Sequence, residues 1–521
     1  MVERRRNGDQ GLVGGPRYPW VVLALIGVGV LISTLDASIV NIALPTIMVG
    51  LGATLDAVTW VVVAYLLTIA VLLLPFGRLG DMVGRKPIFT VGLALFAVGS
   101  ALCGLSAGVE QLVAFRVLQA VGAAMITAVS FAIVTAVFPP SQRGIALGIN
   151  GAVVAIGFTL GPALGGLLIG SLGWRSIFYI TVPIAAVGTV AAWRIMDERR
   201  ISGELPAGQR HFDWAGTVSL ALALVVLLLL LNLAPETGWL APQILLLGAA
   251  FLLFSILFLT VESRVAQPLV DLSLFRRRIY AAGNVAGLLS FLAISANAYL
   301  MPLFLQLVLG FDPLLAGIFL APTALMLAVV APISGWLSDR LGARVLSSVG
   351  LAINGVALLM LSNLGADTDY PQLLAWLLLL GLGQGLFQAP NNRSVMGDVP
   401  RNCLGIGGAI LSSMRNLGQV VGVAVAASFL LGSLAGIDSM VDLETLQIGV
   451  PGSGIDPAAL PAFMEGMRRA YFAAAAFAAL GVLASLVRGS GGAEPASLPR
   501  RMGEAEDARP QLRRRRAGRY P

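Results

Sequence analysis

The chain alternates long apolar runs with short polar stretches, and the apolar runs are long enough to cross a lipid bilayer. A membrane-spanning helix needs about 20 predominantly apolar residues. Fourteen runs meet this length, at residues 20–48, 57–76, 87–105, 111–137, 143–169, 174–196, 214–234, 241–261, 279–304, 313–336, 344–363, 371–393, 403–431 and 467–488. Because most turns between them are short, the pattern predicts an all-α polytopic membrane protein without a separate soluble domain.

Two matching segments indicate an internal repeat. Residues 77–86 read G-R-L-G-D-M-V-G-R-K after helix 2, and residues 335–344 read G-W-L-S-D-R-L-G-A-R after helix 10. Parallel repeats in transporters form two similar bundles with the substrate site at their interface. We therefore predict five parts: a cytoplasmic segment 1–18, a six-helix bundle 19–196, an inserted lipid-facing hairpin of helices 7 and 8 within 197–278, a second six-helix bundle 279–489, and a polar, disordered cytoplasmic tail 490–521.

Composition and charge fix the class and the orientation. The chain is 57% hydrophobic and only 12% charged, against roughly 25% charged residues in a soluble domain. Arginines concentrate on one side, as at 4–6, 276–278 and 513–516, and the positive-inside rule predicts a multi-pass protein of the cell (inner) membrane with both termini in the cytoplasm. The same rule accounts for the net charge of +7, so we expect no nucleic-acid partner.

Asp36 is the residue with the clearest chemical role. It lies in the middle of helix 1, and a carboxylate near the bilayer centre costs about 2.5–3.5 kcal/mol on insertion scales. Loss of hydration favours the protonated form of a carboxyl group. Since the only histidine, His211, lies in a charged loop, Asp36 is predicted to be the proton carrier.

Arg116 is the second charge predicted inside the membrane. It must face protein, and a direct ion pair with Asp36 is one alternative. By helix rise, Arg116 lies about 8 Å from the outer end of helix 4, whereas Asp36 lies about 12–18 Å along helix 1. We therefore expect Arg116 to bind a carbonyl or polar group of helix 1 and to influence Asp36 at longer range.

Three motifs predict packing and gating. Thr34, Ser38 and Asn41 share one face of helix 1 and are expected to form interhelical hydrogen bonds. Helix 5 carries small residues on one face, where a neighbouring helix can approach closely; the motif comprises Gly157, Gly161, Pro162, Gly165 and Gly166. The repeated turns predict charge contacts that form in one conformation and break in the other, through Gly77, Asp81, Gly84, Arg85, Lys86, Asp339 and Arg340.

Polar and aromatic residues inside apolar runs are candidates for the wall of a substrate cavity. They are Asn41, Trp60, Tyr65, Gln119, Phe158, Tyr299, Gln306, Phe387, Asn391 and Arg415. For Arg415 two alternatives stay open, an interface role and a cavity role. Cys103 and Cys403 match no metal or redox spacing, so we expect neither a metal nor a cofactor other than the proton gradient.

Together these motifs resemble the fourteen-helix drug:proton antiporter branch (Emr/Qac-type) of the major facilitator superfamily. Residues 35–45 are similar to its helix 1 motif, with Ser38 where Thr is usual, and 77–86 resemble its loop 2–3 motif, with Met82 replacing a common Arg. Arg116 with Gly122, and Gly157 to Gly166, fit the helix 4 and helix 5 motifs. The resemblance implies two bundles that rock about a central cavity while protons move inward.

The resulting functional prediction is proton-coupled export of amphipathic, cationic or neutral compounds by alternating access. Deprotonated Asp36 would attract a cation that competes with a proton, and a single deep acid favours neutral or monovalent over divalent substrates. An exporter of one endogenous metabolite or lipid is the alternative, and a non-transporting sensor is a distant one. An enzyme is not predicted. The expected partners are bilayer lipid, protons and a small substrate, with a periplasmic adaptor only if the cell has two membranes.

Overall fold

The computed structural model describes residues 17–139, 142–202, 213–265, 272–365, 367–399, 404–434 and 458–488, and within these ranges every regular element is helical. The predicted N-terminal segment up to residue 16, the loop 435–457, the tail from 489, Cys403, His211 and the side chain of Asp339 lie outside the described residues.

Fourteen of the described helices are long and apolar enough to span a membrane, which confirms the predicted fold class. They are α1 Tyr18–Leu51, α2 Leu55–Val83, α3 Arg85–Leu105, α4 Val109–Val137, α5 Arg143–Leu172, α6 Ser176–Ile195, α7 Trp214–Thr237, α8 Pro242–Glu262, α9 Arg278–Val308, α10 Pro313–Leu341, α11 Ala343–Leu361, α12 Tyr370–Gly397, α13 Leu404–Leu434 and α14 Leu460–Val487. A short helix, Glu198–Ser202, follows α6, and a 3-10 turn, Leu272–Arg276, precedes α9. We call the end of the bundle that carries Gly84 the inner end and the end that carries Gly52 the outer end.

The two halves of the chain repeat one packing pattern. In the N-terminal half, α1 packs on α5, α2 on α4, and α3 on both α4 and α6. In the C-terminal half, α9 packs on α13, α10 on α12, and α11 on both α12 and α14. The halves meet where α5 packs on α10 and α2 packs on α13. This equivalence agrees with the repeat seen in the sequence.

The repeated glycine motif is not the turn that its composition predicts. Helix α2 continues to Val83 and α10 to Leu341, so most of each motif is helical. Only the last glycine breaks the helix: Gly84 has φ +107° and Gly342 has φ +81°. These values lie in the region that residues with a side chain rarely adopt, which explains why a glycine recurs at the same place in both halves.

The inserted hairpin is only partly lipid-facing, which corrects the prediction for helix 7. Most of α8 is exposed, as expected for a helix against lipid. In contrast, α7 packs on α13 and α2, and its Leu228 closes a small crevice with Thr59 and Ala424. The absence of charge in an apolar helix does not reveal whether its neighbours are lipid tails or other apolar helices, so the sequence pattern missed this contact.

Helix α5 lies between the halves because its glycines let two helices approach. On one face, Gly157, Gly161 and Gly165 contact α1, and a methyl group at Gly161 would lie 2.6 Å from Cβ of Ser38. On another face, Gly166 packs on the backbone of α10 at Pro313, and Gly317 of α10 packs on the carbonyl oxygen of Pro162. The predicted close approach of a second helix is therefore present, and it involves α10 as well as α1.

We expect Gly161→Val to destabilise the bundle, because the added carbons collide with Ser38 and the backbone of α1. Overpacking of this kind costs about 1–3 kcal/mol, so the apparent melting temperature of the purified protein should fall. Gly151→Val is the matched control, since a Cβ atom added at Gly151 in the same helix meets no neighbouring side chain or helix within 4 Å. Equal melting temperatures for the two variants would contradict this packing.

Candidate functional site

A buried ion pair joins α1 and α4. Nη1 of Arg116 lies 2.5 Å from Oδ2 of Asp36, and the two side chains are 1% and 0% exposed. The preference for a contact between Arg116 and a carbonyl or polar group of helix 1, with only long-range influence on Asp36, was therefore wrong, and the direct pair is formed. The depth argument failed because α1 has 34 residues, about 51 Å at 1.5 Å per residue, so a distance from its end does not measure depth in the membrane.

Neighbouring helices complete the hydrogen bonds of this pair. Gln119, one turn after Arg116, donates to Oδ1 of Asp36 at 2.9 Å and to Ser100 of α3 at 2.7 Å. Its Oε1 accepts from Nη1 of Arg116 at 2.6 Å. Nε of Arg116 donates to the carbonyl oxygen of Val61 in α2 at 3.2 Å. Both oxygens of the buried carboxylate thus have partners, as a buried charge requires.

Tyr65 of α2 covers the guanidinium. The ring centroid lies 3.9 Å from Cζ of Arg116, and the hydroxyl group donates to the carbonyl oxygen of Ser33 at 3.1 Å. A cation over an aromatic face is stabilised by about 2 kcal/mol or more when both groups are desolvated. Tyr65 and Gln119 therefore belong to the ion pair and not to the substrate cavity, which corrects the prediction for both residues.

A central cavity lies between the halves and encloses about 170 Å³ of water-accessible space. Its wall is built by α1, α2, α5, α9, α10, α12 and α13, and the described wall contains no charged side chain. The polar wall residues are Ser38, Asn41, Ser295, Asn297, Thr323, Gln384, Gln388 and Gln419. Asp36 is absent from this wall because it lies on the opposite side of α1, toward α4, so the predicted competition of a cation for its carboxylate has no direct geometric basis.

Of the ten predicted cavity residues, Asn41 and Phe158 line the cavity, and their contact with a substrate remains a prediction. Ser38, on the same face of α1, donates to the carbonyl oxygen of Phe158 at 3.0 Å, which is the expected interhelical bond. Thr34 instead donates to Val30 in its own helix. Oδ1 of Asn41 is buried without a hydrogen-bond partner, which leaves it available to a ligand.

Four predicted cavity residues occupy other places, which corrects those assignments. Tyr299 and Gln306 join the halves near the outer end: the hydroxyl groups of Tyr299 and Thr59 lie 2.7 Å apart, and Gln306 donates to the carbonyl oxygen of Ile42 at 2.9 Å. Trp60 borders the small crevice beside α7, and Phe387 is buried against α9 and α11. Polarity or aromaticity alone does not tell which face of a buried helix a residue occupies.

Asn391, also predicted for the cavity, instead contacts a buried arginine. It accepts a hydrogen bond from Nη2 of Arg488, which is 2% exposed at the inner end of α14. Burial lowers the pKa of Arg488 to about 10, so the guanidinium stays protonated at neutral pH. Arg488 was not singled out in the sequence because it lies at the end of an apolar run, where an arginine normally reaches water.

Arg415, the tenth predicted cavity residue, lies within α13 and is not part of the cavity wall. Several residues of the cavity wall were not predicted from the sequence. Ser295, Thr323 and Gln419 are single polar residues in long apolar runs, and such residues usually form hydrogen bonds between helices. Only the crossing of several helices at one point shows that they face a common space.

Charged groups cluster at the inner end around the glycine motif of the N-terminal half. Arg85 forms an ion pair with Asp81 at 2.8 Å and donates to the carbonyl oxygen of Ala132 in α4. The carboxylate of Glu198, from the short helix after α6, lies at the N-terminus of α3. It accepts hydrogen bonds from the backbone nitrogens of Arg85 and Lys86 at 3.1 and 2.9 Å. Glu198 was missed because it lies far away in sequence. In the second motif, Arg340 lies over the ring of Trp336 at 4.4 Å.

Known proteins share both the sequence pattern and the fold. The family described as Major Facilitator Superfamily matches residues 26–423 and 283–507. The riboflavin transporter RibZ of Clostridioides difficile is 35% identical over 418 residues, 80% of this chain and 90% of that protein. The tetracenomycin C resistance and export protein of Streptomyces glaucescens is 35% identical over 78% of this chain and 75% of its own. Multidrug resistance protein Stp of Mycobacterium tuberculosis is 33% identical over 80% of this chain and 77% of its own.

A solved structure supports the fold alone. A bacterial homologue of the human lysosomal transporter Spinster, in an inward-facing and unoccupied conformation, aligns with a TM-score of 0.63 at 18% identity. The alignment covers 91% of this chain and 98% of the solved one.

We expect Arg116→Met to be strongly destabilising, because it leaves the carboxylate of Asp36 buried without its partner. Breaking a buried ion pair on one side costs about 3–5 kcal/mol. The double variant Asp36→Asn/Arg116→Met removes both charges and should recover much of the loss in apparent melting temperature. If the effects of the two single changes simply add in the double variant, the two charges are not coupled.

We expect Glu198→Ala to lower the stability of the inner end, because the first two amide groups of α3 lose a carboxylate acceptor. The loss of such a helix cap costs about 0.5–2 kcal/mol, read as a lower apparent melting temperature. Glu110→Ala, at an exposed acid in the first turn of α4, is the control and should change little. A larger effect at Glu110 than at Glu198 would refute the capping role.

Proposed function

The chain belongs to the Major Facilitator Superfamily, and we propose that it is a proton-coupled exporter of amphipathic compounds that works by alternating access. It is a multi-pass membrane transporter and not an enzyme, with relatives named for the export of or resistance to drugs and antibiotics. The observation that carries the proposal is the position of Asp36. This ionisable group lies on the face of α1 that packs on α4, and the opposite face of α1 lines the cavity.

The proposed coupling runs through α1. With Asp36 ionised, Arg116 and Gln119 hold α1 against α4. Protonation removes the negative charge and with it most of the attraction to Arg116, so α1 is free to shift. Ser38 and Asn41 move with the same helix and change the shape of the cavity. A proton and a substrate thus exclude each other through the position of α1 and need not share one site.

This arrangement favours substrates without a positive charge, since the described cavity wall offers no carboxylate to a cation. For a neutral substrate exchanged for one proton, the pH gradient contributes about 1.4 kcal/mol per unit. The membrane potential contributes about 2.3 kcal/mol more per 100 mV. A monovalent cation exported for one proton would lose the second contribution.

We assign the charged cluster around Arg85 to gating at the inner end. Asp81, Arg85 and Glu198 tie α2, α3 and the helix Glu198–Ser202 together, and they would have to rearrange when the inner end opens. Because arginines concentrate at this end, we propose that it faces the cytoplasm and that the protein lies in the cell membrane.

A second candidate is a transporter dedicated to one metabolite. The relative named as a riboflavin transporter favours it, as does a cavity in which amide groups from several helices converge. A panel of unrelated compounds separates the two candidates, because a dedicated transporter would move only one of them.

We expect Asp36→Asn to abolish proton-driven accumulation and to bind substrate with an affinity that no longer depends on pH, because the amide cannot exchange a proton and the side chain faces away from the cavity. In proteoliposomes given a gradient of one pH unit, the parent protein should accumulate riboflavin or tetracenomycin C up to about tenfold per proton. The Asp36→Asn protein should only equilibrate it.

Asn41→Ala is the matched change on the cavity face of α1. It should weaken binding by about three- to tenfold through the loss of a hydrogen bond and keep the coupling to protons. An Asp36→Asn protein that accumulates substrate as well as the parent would refute the proposed role of Asp36.

A further inference from the structure

Arg415 of α13 carries a charge that no other described group satisfies. It makes no hydrogen bond, ion pair or ring contact within the described part of the chain, and its Nε is buried without a partner. Arg116 shows the usual solution, with a carboxylate, an amide and a carbonyl group around one guanidinium. Arg415 is partly exposed, so its guanidinium, which has no partner among the described residues, is free to bind a group from outside them.

The helical register places Arg415 between the cavity and the contact that α13 makes with the N-terminal half. Gly408, Arg415 and Gln419 are seven and four residues apart, so they lie on one face of α13. Gly408 packs on Phe131 of the N-terminal half, and Gln419 lines the cavity. Arg415 therefore lies one turn below the cavity wall, toward the inner end, and side chains of a helix lean toward its N-terminus, which here is the inner end.

Nothing on the described cavity wall compensates this charge. The wall contains no acid, and the carboxylate of Asp36 lies behind α1 and is already bound by Arg116 and Gln119. Polar atoms next to Arg415 also lack partners, namely Oγ of Ser412 and Nδ2 of Asn416. An unpaired guanidinium at the inner approach to the cavity attracts anions and repels cations.

We infer that Arg415 binds an anionic group of the exported compound, such as a carboxylate, sulfonate or phenolate, at the inner end of the cavity. The uncharged wall, with the free Oδ1 of Asn41 and the free Oγ1 of Thr323, holds the neutral remainder of the molecule. This inference rests on the proposed export function and adds the charge of the substrate to it. A guanidinium is suited to the task because it remains charged at every physiological pH and offers two donors to one anion.

Two xanthene dyes of opposite charge test this assignment. The binding of fluorescein, an anion, and of tetramethylrhodamine methyl ester, a cation, is measured by fluorescence anisotropy on the purified full-length protein in detergent. We expect the parent protein to prefer fluorescein, and Arg415→Gln to weaken fluorescein binding by about tenfold, the effect of one charge-assisted hydrogen bond. Arg415→Lys keeps the charge and should retain part of the affinity.

Arg469→Gln is the matched control, because it removes one positive charge at an exposed position of α14 that pairs with Glu465. It should leave the binding of both dyes unchanged. The inference is overturned if the parent protein binds fluorescein no more tightly than the cationic dye. It is also overturned if the Arg415→Gln protein binds fluorescein as tightly as the parent protein does. An equal loss of fluorescein affinity in the Arg415→Gln and Arg415→Lys proteins, at unchanged melting temperatures, would overturn it as well. Because binding in detergent needs no gradient, these outcomes are independent of the test of proton coupling.

Discussion

The ion pair between Asp36 and Arg116 is the interaction on which the N-terminal half depends. Two charges removed from water cost several kcal/mol each, and only close contact and further hydrogen bonds offset that cost. Here Gln119, Ser100 and the carbonyl oxygen of Val61 supply those bonds. The partners come from α1, α2, α3 and α4, so the pair fixes the relative positions of four helices.

The second constraint is that α1 carries different chemistry on two faces. Asp36 faces α4, whereas Ser38 and Asn41 face the cavity. The glycines of α5 let α1 pack closely on α5, which also contacts α10 of the other half. In the proposed mechanism, a change of charge on one face of α1 is therefore transmitted to the cavity by movement of the helix itself, without contact between the proton and the substrate.

Much of the fold follows from the sequence, because the length of an apolar run is fixed by the bilayer and because Gly84 and Gly342 recur in matching segments. The burial of Asp36 inside the bundle could also be predicted, since an acid inside such a run has to be kept away from lipid; its function stays a prediction. The pair with Arg116 could not be derived, because depth along a long helix does not give depth in the membrane. The positions of Tyr65, Gln119 and Phe387 were wrong for a similar reason: each side of a buried helix is apolar, so periodicity does not distinguish the cavity side from the packed side. Glu198 lies too far from Arg85 in the chain for any local motif to reveal the contact.

The most direct test of the central claim is the release of protons when substrate binds. Purified full-length protein in weakly buffered detergent solution at mildly acid pH is mixed with riboflavin or tetracenomycin C while the pH is recorded. The account predicts that the parent protein releases a proton on binding and that Asp36→Asn binds the same compound without release. Equal proton release from the two proteins would contradict the account, as would substrate binding by the parent with no change in pH.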